Sequence, residues 1–243
     1  VLVQTGDRCV ARLAAAAAAG GEGGAAIELH LWQRQPVPDE LRARIDLRRV
    51  LSMCGTPKYA DVAVPDWCFD AWPEAGVPQG RYDEACAELA ALGRAPPSDG
   101  PVLSWCGTAH HHPSRMKLVR LAKEQPQRLA CVDVIDKSVD RSQHRTLAEQ
   151  VRRCAYLLDI QGKGYSARLK LLLHSGRCVF LVHRPWKEYF EQGLVALEHY
   201  VPVREDLSDL LERLDWADAN PQAVAHIAAA GQRFAQQHLT QAA

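Results

Sequence analysis

No stretch of this chain is apolar for the length a membrane-crossing helix requires, so no stable membrane insertion is expected within it. Excess charge of either sign is missing too. The 29 Lys and Arg balance 29 Asp and Glu, which argues against a nucleic-acid binder, since such proteins are basic overall. The eight cysteines, at positions 9, 54, 68, 86, 106, 131, 154 and 178, show no repeated CxxC spacing, which argues against a structural zinc site. Buried free thiols and a few disulfides both stay open. Cys154 and Cys178 flank a glycine-rich loop and form the candidate pair in an oxidising compartment. The alanine tract Ala14–Ala19, with glycines after it, lacks the bulky apolar core of a signal peptide and reads as a loop insertion. The chain opens on Val1, which leaves room for an upstream targeting segment.

What is present suits a globular protein of one or two domains: 243 residues, 47% hydrophobic and 24% charged. The most informative stretch is Asp159 to Phe180, reading DIQGKGYSARLKLLLHSGRCVF. An apolar run, Tyr156 to Ile160, leads into Gly162, Lys163 and Gly164, and a helical pattern starts at about Tyr165. Leu169, Leu172 and Leu173 recur at helical spacing before Gly176 and the strand-like Cys178 to Val182. Strand, glycine loop, helix and strand in this order present free backbone N–H groups and a positive helix end, which attract phosphate. Ser166 can cap or hydrogen-bond, and Lys163 and Arg168 add the charge a diphosphate needs. The plain alternative is an ordinary strand-to-helix turn with solvated cations.

Elsewhere the chain divides at Arg94 to Pro101 (RAPPSDGP), the best linker, giving an N-terminal domain of residues 1–100 and a C-terminal one of 101–243. Ala26 to Trp32 alternates like a strand, and Asp39 to Val50 suggests a short charged helix. Arg81 to Leu92 is an amphipathic helix. From Val102 onward strands alternate with helices: Val102–Trp105, Leu129–Ile135, Tyr156–Ile160, Val179–Val182 and His199–Val203 as strands; Thr146–Arg153, Trp186–Phe190, Asp206–Leu214 and Pro221–Leu239 as helices. That alternation predicts an α/β fold with a parallel sheet whose site lies beyond the C-terminal strand ends. His110, His111 and His112 are adjacent, point different ways and have no acidic or cysteine partner at ligand spacing, so they read as loop histidines and no metal is expected.

Several ordered blocks resemble glycosyltransferase family 90, the protein O-glucosyltransferase (Rumi-like) and capsule-associated group. Gly162, Ser166, Arg168, Leu169, Lys170, Gly176, Val179 and Phe180 match its donor-binding segment. Asp61, Pro65, Asp66, Trp67, Phe69, Trp72 and Glu74 match its Pro-Asp-Trp segment, and Trp105, Gly107, Thr108, Pro113 and Arg115 match its aromatic, Gly-Ser/Thr, Pro-x-Arg element. The resemblance implies a GT-B-like fold of two Rossmann-like domains facing a cleft, the N-terminal one truncated or divergent. It implies an inverting, metal-independent transfer of glucose or xylose from a UDP-sugar to a protein or glycan hydroxyl, with no cofactor, in the secretory lumen. The implied donor-binding residues are Thr108, Arg115, Lys163, Gly164, Tyr165, Ser166, Ala167 and Arg168, with Cys106 where a basic residue often stands. Asp66, Trp72 and Glu74 are implied at the cleft, Trp67 reads as core, and Glu205 is a candidate for the ribose hydroxyls. Members carry an acidic base just before a proline. Matching through Pro36 puts Arg34 there, and of the nearest carboxylates, Glu28 and Asp39, Asp39 is taken as the base. The alternative is a remnant that binds UDP-sugar without a base; a metal hydrolase on the histidine run is a weaker third.

Overall fold

The computed structural model describes residues 2–5, 8–13, 27–32, 51–57 and 62–241. Arg34 and Asp39, and the helix expected over 39–50, lie outside the described residues. The chain forms two compact units, one of residues 1–66 with 185–189, the other of residues 67–184 with 190–243. In the smaller unit, β1 (Leu2–Thr5), β2 (Arg8–Leu13) and β3 (Ile27–Trp32) pair antiparallel in that order. A short parallel pair, β4 (Leu51–Ser52) and β5 (Val62–Ala63), accompanies them. Glu28 lies on β3.

The first α-helix of the larger unit is α1 (Tyr82–Gly93); strands and helices then alternate, except that only a 3-10 turn separates the last two strands and two helices close the chain. β6 (Leu103–Gly107), α2 (Pro113–Glu124), β7 (Leu129–Asp133), α3 (Leu147–Arg153), β8 (Tyr156–Asp159), α4 (Leu169–His174), β9 (Cys178–Val182), β10 (Val201–Val203), α5 (Leu210–Ala219) and α6 (Pro221–His238) follow. The five strands pair parallel in the order β10-β9-β8-β6-β7. Every residue of β8 and β9 is buried, as continuous apolar runs in a covered parallel sheet require. α1 packs on α3 and α4, and α6 packs on α4 and β9. From β6 the chain steps one way to β7, returns to β8, and then steps the other way to β9 and β10. The strand order therefore reverses between β6 and β8. In open sheets of this kind ligands settle above that reversal, outside the carboxyl ends of the strands.

The expected linker at 94–101 falls inside the larger unit. Asp99 holds it there, accepting from Arg153 at 3.0 Å and pairing with Arg145 at 3.1 Å. The helix expected over Trp186–Phe190 does not form; in its place a 3-10 turn, Glu191–Gly193, follows. The helix expected from Asp206 starts at Leu210, because Asp206 accepts from the Ser208 amide at 3.0 Å and closes a turn of its own. Cys154 and Cys178 are free and buried, as are Cys54, Cys68, Cys86, Cys106 and Cys131. Burial pushes the Cys178 thiol up to about 12.

Trp67, expected in the core, is 54% exposed, its ring edge-on to Trp72 with centroids 6.2 Å apart. Its 3-10 turn points the ring outward while neighbouring Cys68 takes the buried place.

Candidate functional site

Two loops meet at the reversal: Thr108–His112 after β6, and 160–168 after β8. The second departs from expectation in one respect. The helix begins at Leu169, not near Tyr165, and has only six residues, with Arg168 at its N-cap. The chain bends at 163–164 and turns at 167–168, with the Gly162 amide donating to the Tyr165 carbonyl at 3.3 Å. A helix this short offers little dipole, so any pull on an anion rests on side-chain cations and loop amides.

Arg115, on the first turn of α2, is buried and reaches across to this loop. Its Nε donates to the Gln161 carbonyl at 2.7 Å, one terminal nitrogen to Ile160 at 2.9 Å and the other to Thr108 at 3.2 Å. Its guanidinium also lies over the Trp105 ring, 5.2 Å from the centroid, where cation and π face attract. Gly107 makes that stacking possible: a Cβ there would stand 2.8 Å from the Trp105 ring. One arginine thus locks the two loops together. Burial first, then the repulsion of Arg168, pushes the Arg115 pKa down to about 10.

Arg168 is half-buried. Among the described residues its side chain donates no hydrogen bond and forms no ion pair. Burial lowers its pKa, with Asp159 pulling the other way. Asp159 is spent elsewhere. It ends β8 at 1% exposure, accepts from Ser166 Oγ at 2.6 Å and pairs with Arg184, which in turn pairs with Glu191 at 2.9 Å. Burial opposes the Arg184 charge, but Asp159 and Glu191 outweigh it and hold the guanidinium well above its ordinary pKa. Arg184 is therefore matched by two carboxylates, while Arg115 and Arg168 have none in ion-pair contact among the described residues. Two neighbouring cations without a carboxylate in contact raise the free energy of the fold. A bound anion offsets that.

The other expected site residues fall as follows. Ser166 is buried and turns its hydroxyl inward to Asp159, so it positions the loop. Gly164 is buried, Tyr165 and Ala167 are half-buried, and Lys163 is exposed beside them. The Ala167 carbonyl accepts from Lys170 Nζ at 2.9 Å. The Thr108 hydroxyl does not cap the 3-10 turn after it. Cys106 is buried near Arg168, its thiol pushed up by burial. In the segment over 66–74, Asp66 is buried, Trp72 half-buried and Glu74 exposed.

His112 Nδ1 accepts from the Ser114 amide at 3.3 Å, capping α2. Its Nε2 lies 2.8 Å from the Gln161 side-chain nitrogen. His110 and His111 stack edge-on with each other.

Three residues that matter here went unread: Gln161, Asp159 and Arg184. Asp159 carried a signal, since a carboxylate closing an all-apolar strand has to be matched inside. Arg184 stands just past the end of the adjacent strand and was the natural partner.

The sequence profile of glycosyl transferase family 90 matches residues 34–243. Rat protein O-glucosyltransferase 1 is 28% identical over 205 residues, covering 78% of this chain and 52% of the relative. Zebrafish protein O-glucosyltransferase 2 is 33% identical over 132 residues, covering 51% and 26%. The chain spans about half the length of the rat protein it matches. Among solved structures, the C-terminal domain of a glycosyl transferase group 1 protein (LpcC) from Francisella tularensis shares 10% identity at a TM-score of 0.42, over 63% of this chain and 92% of that one.

Proposed function

The chain belongs to glycosyl transferase family 90, and on that footing we propose that it moves a sugar from a UDP-sugar to a hydroxyl of a protein or glycan acceptor. One observation carries the reading: a half-buried arginine without a hydrogen-bond partner among the described residues, beside a second arginine already fixed at the strand-order reversal. A diphosphate is the leaving group whose charge such a pair meets. The names of the rat and zebrafish relatives favour glucose as the sugar and a protein as the acceptor.

The chemistry asked of the residues is a single in-line displacement. A base takes the proton of the acceptor hydroxyl, that oxygen attacks the anomeric carbon, and UDP departs with inversion. Charge grows on the diphosphate as the bond breaks, and groups aimed at developing charge lower the barrier most. Arg168 and Arg115 supply those donors, with Lys163 at the rim, and no metal is required in this scheme. Asp39 is proposed as the base, and by family analogy the reaction is placed in the secretory lumen.

The test is UDP release from UDP-glucose, with water or an added acceptor taking the sugar. Wild type is expected to release UDP, and Asp39→Asn to lose on the order of 10²-fold or more of that rate while binding UDP as before. Equal rates in the two proteins remove Asp39 from the role. UDP binding without release under any acceptor condition favours a sugar-nucleotide binder lacking a base.

A further inference from the structure

Asp159 ends the middle strand of the sheet, directly before the loop 160–168. Arg115 donates to the carbonyls of the two residues that follow it, Ile160 and Gln161. Ser166, whose Oγ donates to Asp159 Oδ1 at 2.6 Å, stands two residues before Arg168. One carboxylate at 1% exposure is thus set among three arginines, and it touches only Arg184. The Arg184 guanidinium gives one terminal nitrogen to Asp159 Oδ2 and the other to Glu191 Oε1 at 2.9 Å. The Asp159 charge still reaches Arg115 and Arg168, offsetting part of the burial that pushes both pKa values down. A buried ion pair is a poor source of net stability, since apolar side chains of similar volume often serve as well. This one also leaves Arg184 Nε buried without a hydrogen-bond partner among the described residues. Stability alone does not account for it.

Resting on the donor reading above, we infer that Arg184 is a positioning residue: it holds the Asp159 carboxylate off Arg168, so that Arg168 stays open to the diphosphate. Without Arg184, Asp159 keeps its charge and loses its partner. A guanidinium with no carboxylate in contact, that of Arg168, lies on the loop Asp159 already holds through Ser166. A contact between the two cancels the charge a diphosphate needs, and UDP then has to break it in order to bind. Apparent affinity falls with the fraction of molecules in which the arginine is taken. Glu191 anchors the other side of the Arg184 guanidinium, which keeps Arg184 from following Asp159 towards the loop. Asp159 thereby acts on the arginine pair as a counter-charge held at a distance.

Calorimetric titration of UDP into wild type, Arg184→Met, Asp159→Asn and the double variant decides it, with a thermal melt of each. Arg184→Met is expected to bind UDP about tenfold more weakly, as when Asp159 occupies Arg168 in about nine molecules of ten. Asp159→Asn, whose amide oxygen still accepts from Ser166, is expected to stay within about threefold of wild type. The double variant is expected to return to the same range while melting below wild type, because Glu191 is left buried without its cation. Binding regained without stability is an outcome that a purely structural role for Arg184 does not produce. Undiminished affinity in Arg184→Met overturns the inference. So does a double variant that binds as weakly as Arg184→Met, or one that regains binding only together with the full wild-type melting temperature. If Arg184→Met does not fold, the double variant, with one buried carboxylate fewer, carries the test alone: folded and about tenfold weaker than wild type, it overturns the inference. A wild type that binds no UDP is a separate failure, that of the donor reading itself.

Discussion

Replacing Arg168 with alanine is expected to weaken UDP binding by roughly 10- to 100-fold and to stop UDP release from UDP-glucose, with no loss of thermal stability. The size of the binding loss follows from the hydrogen bonds of a guanidinium to phosphate oxygens, worth about 1.5–3 kcal/mol when one partner is charged. The lack of a stability cost follows from the surroundings. The Arg168 side chain makes no hydrogen bond or ion pair among the described residues, and burial disfavours its charge. Taking it away also relieves Arg115, whose pKa is pushed down to about 10 by burial and by that neighbour. Arg168→Lys keeps the charge but loses the planar fork and should restore only part of the affinity. Calorimetry with UDP and a thermal melt of the apo protein read the two effects separately. Unchanged UDP affinity would remove Arg168 from the site. A large drop in melting temperature would make it a structural residue.

The opposite profile is expected of Arg184. It is fully buried between Asp159 and Glu191, so Arg184→Met leaves two carboxylates facing each other without a cation. Breaking a buried pair from one side costs about 3–5 kcal/mol. At about 2–4 °C per kcal/mol, the expected drop in melting temperature is on the order of 6–20 °C. The sign with pH also follows. A cation whose folded pKa is raised contributes stability that is fully present below its unfolded pKa, which for arginine lies far above neutral, so the Arg184 contribution is intact through neutral pH. The loop should suffer as well, since Ser166 hangs on the same Asp159. Urea denaturation of Arg184→Met near neutral pH measures the loss. A change under about 1 kcal/mol would show that the triad does not hold the end of the sheet together.

The sheet was legible where burial forces the sequence to be apolar. β8 and β9, covered on both faces, are continuous apolar runs and fall within a residue or two of expectation. Helix starts were less legible. Tyr165 begins a leucine periodicity in the sequence, but the Asp159–Ser166 bond and the turns after Gly162 hold 162–168 out of the helix until Leu169. That contact is tertiary, and no local propensity reports it. The arginines of the site were visible as residue types in a glycine loop and a Pro-x-Arg turn. Their difference was not: Arg115 is fixed by three backbone carbonyls, which leaves two of its five N–H groups over, whereas the Arg168 side chain has no hydrogen-bond or ion-pair partner among the described residues. Trp67 was misjudged because a lone tryptophan in an apolar segment says nothing about which way a 3-10 turn faces.

A paired titration of UDP and uridine into the wild-type protein bears most directly on the arginine pair. If Arg115 and Arg168 hold a diphosphate, UDP binds and uridine is weaker by about 100-fold or more, since only UDP carries the charge they meet. Equal affinities for the two would contradict it.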